Sequence, residues 1–315
     1  MSESDAERPH ISVLLDETLD FLAPMSGETF VDATLGLGGH AEAIIKVEGT
    51  RVFGIDQDDE AIDFARKRLE NFGSRIQIVQ ANFEDIKTVL GGLGEKKVDG
   101  ILADLGVSSL QLDSKERGFS FRSDAPLDMR MDRSKGQTAG DLLAELPEED
   151  IANLIYNYGE ERFSRRIARR IVERREAGEP VRTTRELAEL VERSVRRSPK
   201  DKINPSTRTF QALRIAVNRE IEILEEFIND AVDSLRTDGR LVVISFHSLE
   251  DRIVKQTFQK LSGKCLCPPR IPQCACGAVK KIDILTRKPV VAGDFEIVSN
   301  PRARSAKLRA ARRSN

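Results

Sequence analysis

Short apolar runs and polar breaks alternate regularly through the first hundred residues. Thr29 to Ala33 reads as a strand, and Arg51 to Ile55 as a second strand ending at Asp56. Between the second and third strands, Ala61 to Phe72 places Ile62, Ala65 and Leu69 on one helical face. Arg75 to Val79 is a third strand, a helix follows from Phe83 to Leu90, and Val98 to Ala103 is a fourth strand ending at Asp104. Strands that alternate with amphipathic helices form βαβ units, so the chain predicts an α/β fold with a mostly parallel sheet and helices on both faces.

The alternation then stops. Residues 113–140 are rich in Gly, Asp, Ser and Arg and read as loop. Glu160 to Ala177 is a helix with Phe163, Ile167 and Ile171 on one face and Arg162, Arg166, Arg169 and Arg170 around it, ended by Gly178 and Pro180. Thr183-x-x-Glu186 has the spacing of a capping box. A single long helix is expected from Ser206 to Leu235, and Arg240 to Phe246 then reads as a fifth strand rejoining the sheet. These signals divide the chain into a discontinuous core, 1–111 and 206–315, and an inserted, Arg-rich helical domain, 112–205.

Composition sharpens this picture in one respect. No run approaches the ~18 apolar residues of a membrane span, and Met1 to Arg8 lack the apolar core of a signal peptide. Both features predict a cytoplasmic, soluble chain. The formal charge of −2 hides an asymmetry: residues 1–60 hold fourteen Asp/Glu against three Lys/Arg, whereas 160–208 hold fifteen Lys/Arg against nine Asp/Glu. The last fifteen residues hold six Lys/Arg and no acid. An acidic half with basic appendages suits an enzyme acting on a polyanion. The Arg-rich helix and the tail from Arg302 to Arg313 are candidate phosphate contacts, although charge runs are also ordinary solvated faces.

The candidate chemistry starts at Val31-Asp-Ala-Thr-Leu-Gly-Leu-Gly-Gly-His40, where the first strand runs into a glycine-rich bend that opens a helix. Gly36-x-Gly38-x-x-Ala41 matches a dinucleotide fingerprint, with Asp56 as the ribose acid. A tight turn without a ligand is a second reading. S-adenosylmethionine is a third, and charge favours it: Asp32 at the strand tip opposes a diphosphate but suits a sulfonium and an ammonium. On that reading Gly38, Gly39 and His40 line the methionine end and Asp56 accepts from the ribose diol. Phe83 faces the adenine, and Asp104 sits where the methyl emerges. Taken singly, the acids also read as turn residues and Phe83 as core.

The motifs taken together are more specific. The glycine bend, Asp104-Leu-Gly-Val-Ser-Ser109, Arg117-Gly-Phe-Ser-Phe121, Pro126-Leu-Asp-Met-Arg-Met-Asp132 and Tyr158-Gly-Glu-Glu-Arg-Phe163 resemble the RsmH (MraW) family. So do Thr207-Arg-Thr-Phe-Gln-Ala212, Ile244-Ser-Phe-His-Ser-Leu-Glu-Asp-Arg252 and Asn300-Pro-Arg-Ala-Arg-Ser305, in the family's order and over nearly the whole length. The resemblance implies a Rossmann-like class I methyltransferase core with an inserted helical domain. It also implies S-adenosyl-L-methionine as methyl donor and N4 of cytidine 1402 in 16S rRNA of the small ribosomal subunit as target. Carried over by position, its cofactor residues fall on Gly38, Gly39, His40, Asp56, Phe83, Asp104 and Gln111. Read without the resemblance, Gln111 is a polar loop residue.

The cytosine amine is a poor nucleophile, because its lone pair is delocalised into the ring. A site must hold it in line with the methyl and accept its N–H. Asp104 and His247 are the candidate polar partners, and Phe119, Phe121 or Phe246 could stack the base. The Asp/Asn/Ser-Pro-Pro-aromatic segment of many amino-methylating enzymes is replaced here by Asp104-Leu-Gly-Val, which puts the usual catalytic assignment in doubt. The four cysteines, Cys265, Cys267, Cys274 and Cys276, form two Cys-x-Cys pairs. They suit a structural zinc, reduced thiols or redox pairs; the usual zinc spacing is Cys-x-x-Cys. A homodimer is one assembly the sequence allows. An NAD-dependent oxidoreductase, a non-catalytic RNA-binding factor and a small-molecule methyltransferase remain rival readings.

Overall fold

The computed structural model describes residues 11–195, 204–265, 267 and 279–315. The chain forms two compact units, Met1–Gly106 with Ile223–Asn315, and Val107–Glu222. In the first unit α1 (Leu15–Leu22) precedes β1 (Thr29–Asp32). Strands and helices then alternate through α2 (Gly39–Ile45), β2 (Arg51–Asp56), α3 (Asp59–Leu69), β3 (Ile76–Gln80), α4 (Ile86–Gly92) and β4 (Val98–Asp104). The second unit holds α5 (Ser109–Asp113), α6 (Ala139–Glu145), α7 (Glu148–Gly159), α8 (Ser164–Glu176), α9 (Thr184–Ser194) and α10 (Pro205–Asn218). The chain returns to the first unit with α11 (Leu224–Ser234), β5 (Leu235–Ser245), α12 (Ser248–Leu261), β6 (Ile282–Ile284), α13 (Asp294–Ser299) and β7 (Lys307–Arg313).

The sheet order is β3-β2-β1-β4-β5-β7-β6. β1 to β5 run parallel, while β7 is antiparallel to both β5 and β6. Alternation along each strand sends side chains to opposite faces. Val31, Phe53, Ile55, Ile101, Ala103 and Val243 pack on one face with α4, α11 and α12. Phe30, Val52, Leu102, Val242 and Ile244 pack on the other with α1, α2 and α3. Each fully buried Phe, Ile or Leu contributes roughly 1.5–3 kcal/mol of burial free energy. β1 lies between β2 and β4, so chain direction along the sheet reverses there, and the cleft beyond their carboxyl ends is the usual ligand position in such sheets.

The second unit has its own core of Leu127, Met129, Leu143, Ile155, Ile167, Leu187, Leu213 and their neighbours. Its loop, 114–138, is tied down from within. The Arg117 guanidinium, 1% exposed, donates from Nη2 to the carbonyls of Arg130 and Met131, both at 3.1 Å. Thr183 and Glu186 form the expected capping box at the start of α9.

Two expectations need correction. The helix expected over 206–235 is two helices, α10 and α11. Arg219 ends α10 with a left-handed φ of 54°. There the Asn218 side chain donates to the Met129 carbonyl and accepts from the Met131 N–H, both at 2.8 Å, and Arg214 pairs with buried Glu220 at 2.7 Å. The apolar period runs through this break, but these contacts end the helix, and the second unit extends to Glu222 rather than 205. Within the basic tail, Lys307–Arg313 form β7, paired on both sides. Arg309 is 6% exposed and donates to Asp251 at 2.7 Å, while Arg312 and Arg313 pair with acids of the same unit.

Candidate functional site

The end of β1 builds the site. Ala33 continues the ladder by donating to Leu102, and the chain then turns through Thr34–Gly38 into α2. Gly38 caps that helix at φ 77°, where a side chain would be strained. A Cβ on Gly39 would lie 2.1 Å from Ser12 Oγ, so any side chain there would force Ser12 to move. The amides of the bend are largely spoken for. Leu35 N–H donates to the Ile55 carbonyl at 2.8 Å, Gly36 N–H to Asp56 Oδ2 at 2.7 Å, and Gly38 N–H to the Leu35 carbonyl at 2.8 Å.

Three carboxyls meet at the ends of β1, β2 and β4. Asp32 is 1% exposed; burial, partly offset by the Thr34 N–H and reinforced by the Asp56 charge, pushes its carboxyl up to about 7. Burial likewise raises Asp56 to about 6, although Oδ1 accepts from Asp58 N–H at 2.9 Å and Oδ2 from Gly36. Asp104 is raised well above the usual range by burial and by the charges of Asp32 and Glu250. Its backbone N–H donates to Thr34 Oγ1 at 2.6 Å, which ties the end of β4 to the glycine bend. Among the described residues, Asp32 Oδ2 and Asp104 Oδ1 are buried with no hydrogen-bond partner. Buried acceptors left open in this way are costly unless a donor or cation arrives. The arrangement therefore fits a cationic ligand carrying hydroxyl donors.

The other predicted residues fall as follows. His40 is buried on α2, its Nε2 3.0 Å from the Val13 carbonyl and its Nδ1 3.8 Å from Asp104 Oδ2. Phe83 follows β3, half-buried, with its ring edge-on to Phe227 at 4.9 Å between centroids. His247 is the N-cap of α12: its Nδ1 accepts from Glu250 N–H at 3.4 Å and its Nε2 lies 3.1 Å from Glu250 Oε1. That ring caps the helix entry. Gln111 is buried in the second unit at the third position of the capping box that starts α5. Cys265 is exposed and Cys267 half-buried, whereas Cys274 and Cys276 lie outside the described residues.

Sequence reasoning missed Thr34 and Glu250. Thr34 lies inside the quoted bend, but its hydroxyl matters only because parallel pairing brings β4 alongside β1. Glu250 accepts from the N–H groups of Phe246 and His247 at 2.8 and 3.3 Å. The His247-x-x-Glu250 spacing was available as a signal, with an unusual cap residue. On α8, Arg169 pairs with Glu148, Arg170 with Glu173 and Arg174 with Glu186, while Arg175 donates to the carbonyls that end α6. Arg165 and Arg166 are exposed, and Arg162 lies over the Phe163 ring at 4.7 Å.

A strand-end site on a mostly parallel sheet, with an acidic glycine bend, is the architecture of class I S-adenosylmethionine-dependent methyltransferases. The model of the MraW methylase family matches residues 7–314, and the chain belongs to that family. It is 50% identical over 303 residues to ribosomal RNA small subunit methyltransferase H of Geobacter sp. (strain M21), covering 95% of this chain and 97% of that protein. It is 48% identical over 305 residues to the protein of the same name from Carboxydothermus hydrogenoformans, covering 97% and 98%. Among solved structures, an rRNA methylase from Streptococcus thermophilus aligns at 10% identity with a TM-score of 0.44, covering 98% of this chain and 100% of that one. Among the described residues no helix is long and apolar enough to cross a membrane.

Proposed function

We propose that this chain is an S-adenosylmethionine-dependent methyltransferase of small-subunit ribosomal RNA, acting in the cytoplasm on N4 of cytidine 1402 in 16S rRNA. The observation that carries the reading is 48–50% identity over nearly the full length to proteins named for that class of activity. The N4 and cytidine 1402 details come from the motif resemblance. The site supports the choice of cofactor. A diphosphate needs bare N–H groups at a helix N-terminus, but here Gly36 and Gly38 have already spent theirs, one of them on a carboxylate.

S-adenosylmethionine, when bound, supplies the methyl group. Asp56, whose oxygens each retain a lone pair, would accept from the ribose hydroxyls. Gly38, Gly39 and His40 would take the methionine end, and Phe83 the adenine. Gln111 is a further cofactor position by resemblance. Asp104 Oδ1 would accept the N4–H of cytosine, returning electron density to the nitrogen as its bond to carbon forms. An ionised Asp104 is required for this, so its raised pKa makes the rate rise with pH as the carboxyl deprotonates. Exposed Arg162, Arg165 and Arg166 on and beside α8 would meet RNA phosphates.

Mass spectrometry of rRNA nucleosides tests the reading. Cells lacking the protein should lose N4-methylation at that cytidine, and wild-type chain but not Asp104→Ala should restore it. Persistence of the modification would overturn the proposal.

A further inference from the structure

Away from the acidic mouth, the first unit carries a cavity of about 600 Å³ between α12 and the antiparallel edge formed by β6 and β7. Its floor includes the buried side chains of Phe258 and Ile282. Its lining carries Lys255, Lys264, Lys280, Arg287 and Arg309, against Asp283 as the only acid among the described residues. Two of these cations are already matched: Lys280 pairs with Asp283 at 2.8 Å and Arg309 with Asp251 at 2.7 Å. Lys255, Lys264 and Arg287 are exposed and make no ion pair among the described residues.

We infer that this basic groove is a second binding site, for the phosphodiester backbone of RNA. The inference rests on the proposed rRNA methyltransferase reading and adds a contact which that reading does not assign. The three open cations come from α12, from the turn after it and from the segment after β6, and they line a cavity of about 600 Å³, a size that suits a ligand much larger than one small anion. A small anion would call for convergent donors, whereas spaced cations along a groove follow a string of phosphates. Among the described lining residues no carboxylate is left over to oppose such a chain, because Asp283 is engaged by Lys280 and Arg312. The groove's cations also belong to the same unit as the acidic mouth. The unit that holds the methyl-transfer site would thus grip the RNA itself, without relying only on α8.

The test measures binding of a naked small-subunit rRNA fragment and of purified small subunits as a function of salt. The wild type is compared with Lys255→Ala/Lys264→Ala/Arg287→Ala and with a charge-matched control, Arg66→Ala/Lys67→Ala/Lys96→Ala. Thermal melts should show all three folded, because every substituted side chain is exposed. Loss of three phosphate contacts should flatten the slope of log affinity against log salt by about 2 for single-stranded RNA, with S-adenosylmethionine affinity unchanged. An unchanged slope, or an equal change in the control, overturns the site. Weakening on assembled subunits but not on naked RNA also overturns it, in favour of a protein partner. A wild type that binds neither RNA nor subunits overturns the functional reading together with the groove.

Discussion

The first unit carries opposite chemistry at two places on one sheet. Its parallel half gathers buried Asp32 and half-buried Asp56 and Asp104 at the strand ends, all reluctant to ionise. Its antiparallel edge carries exposed cations over an apolar floor. Parallel strands end side by side, so single acids far apart in sequence become one poorly solvated cluster. At the edge, Lys255, Lys264 and Arg287 stay in water. A poorly solvated acid cluster can therefore discriminate a small cationic ligand, while a solvated basic rim supplies screened, additive contacts to a polymer.

Substitutions can break this comparison at several strengths. Asp104→Ala should lower the single-turnover methylation rate at saturating cofactor by about 10²–10⁴-fold, the usual span for a lost proton-accepting group. A retained rate would confine Asp104 to cofactor binding. The wild-type rate should climb with pH through the ionisation of this carboxyl, and Asp104→Asn should remove that climb.

Asp32→Asn tests the cost of the poorly solvated cluster. Its carboxyl titrates at about 7 in the folded protein against 3.8 for an unperturbed aspartate, so the folded state binds more protons between those values. Stability is therefore lost as pH rises through this window, and the loss is complete above it. Asn keeps the acceptor for the Thr34 N–H. The variant should be more stable than wild type at pH 8, by up to roughly 4 kcal/mol, with the gain vanishing near pH ~4. Chemical denaturation across pH would show it.

Arg309→Ala should destabilise by roughly 1.5–3 kcal/mol, because it removes the charged hydrogen bond to Asp251 and leaves that carboxylate only Lys307 at 3.7 Å. Arg304→Ala, at an exposed position, should change stability by less than about 0.5 kcal/mol. Equal effects would contradict the reading of the tail as a strand. The smallest change is expected on α8, where Arg162→Ala/Arg165→Ala/Arg166→Ala should reduce the salt slope of RNA binding while leaving S-adenosylmethionine affinity intact.

Much of the first unit was legible in the sequence alone, because apolar strands ending in acids carry their own punctuation. β1, β2 and β4 lie within a residue of their expected positions, and so do the acids at their tips. β7 was hidden by composition: Lys307-Leu-Arg-Ala-Ala-Arg-Arg313 has alanines where strands favour branched residues, and its burial comes from pairing on both sides. The break between α10 and α11 was hidden for a related reason. Asn218 and Glu220 act through partners distant in sequence or across the turn, and periodicity does not register such contacts. At the site, Asp56 and Asp104 were visible as strand-end acids. The cap role of His247 had a local signal in the His247-x-x-Glu250 spacing, whereas the Thr34 link to Asp104 depended on a neighbour that folding alone supplies.

Calorimetric titration with S-adenosylmethionine and with NADH, each in two buffers of different ionisation enthalpy, tests the central claim most directly. A cation settling beside carboxyls held partly protonated should drive them to ionise. S-adenosylmethionine should therefore bind with net proton release near pH 7, while NADH gives no heat of binding. Tight NADH binding with no response to S-adenosylmethionine would contradict the account.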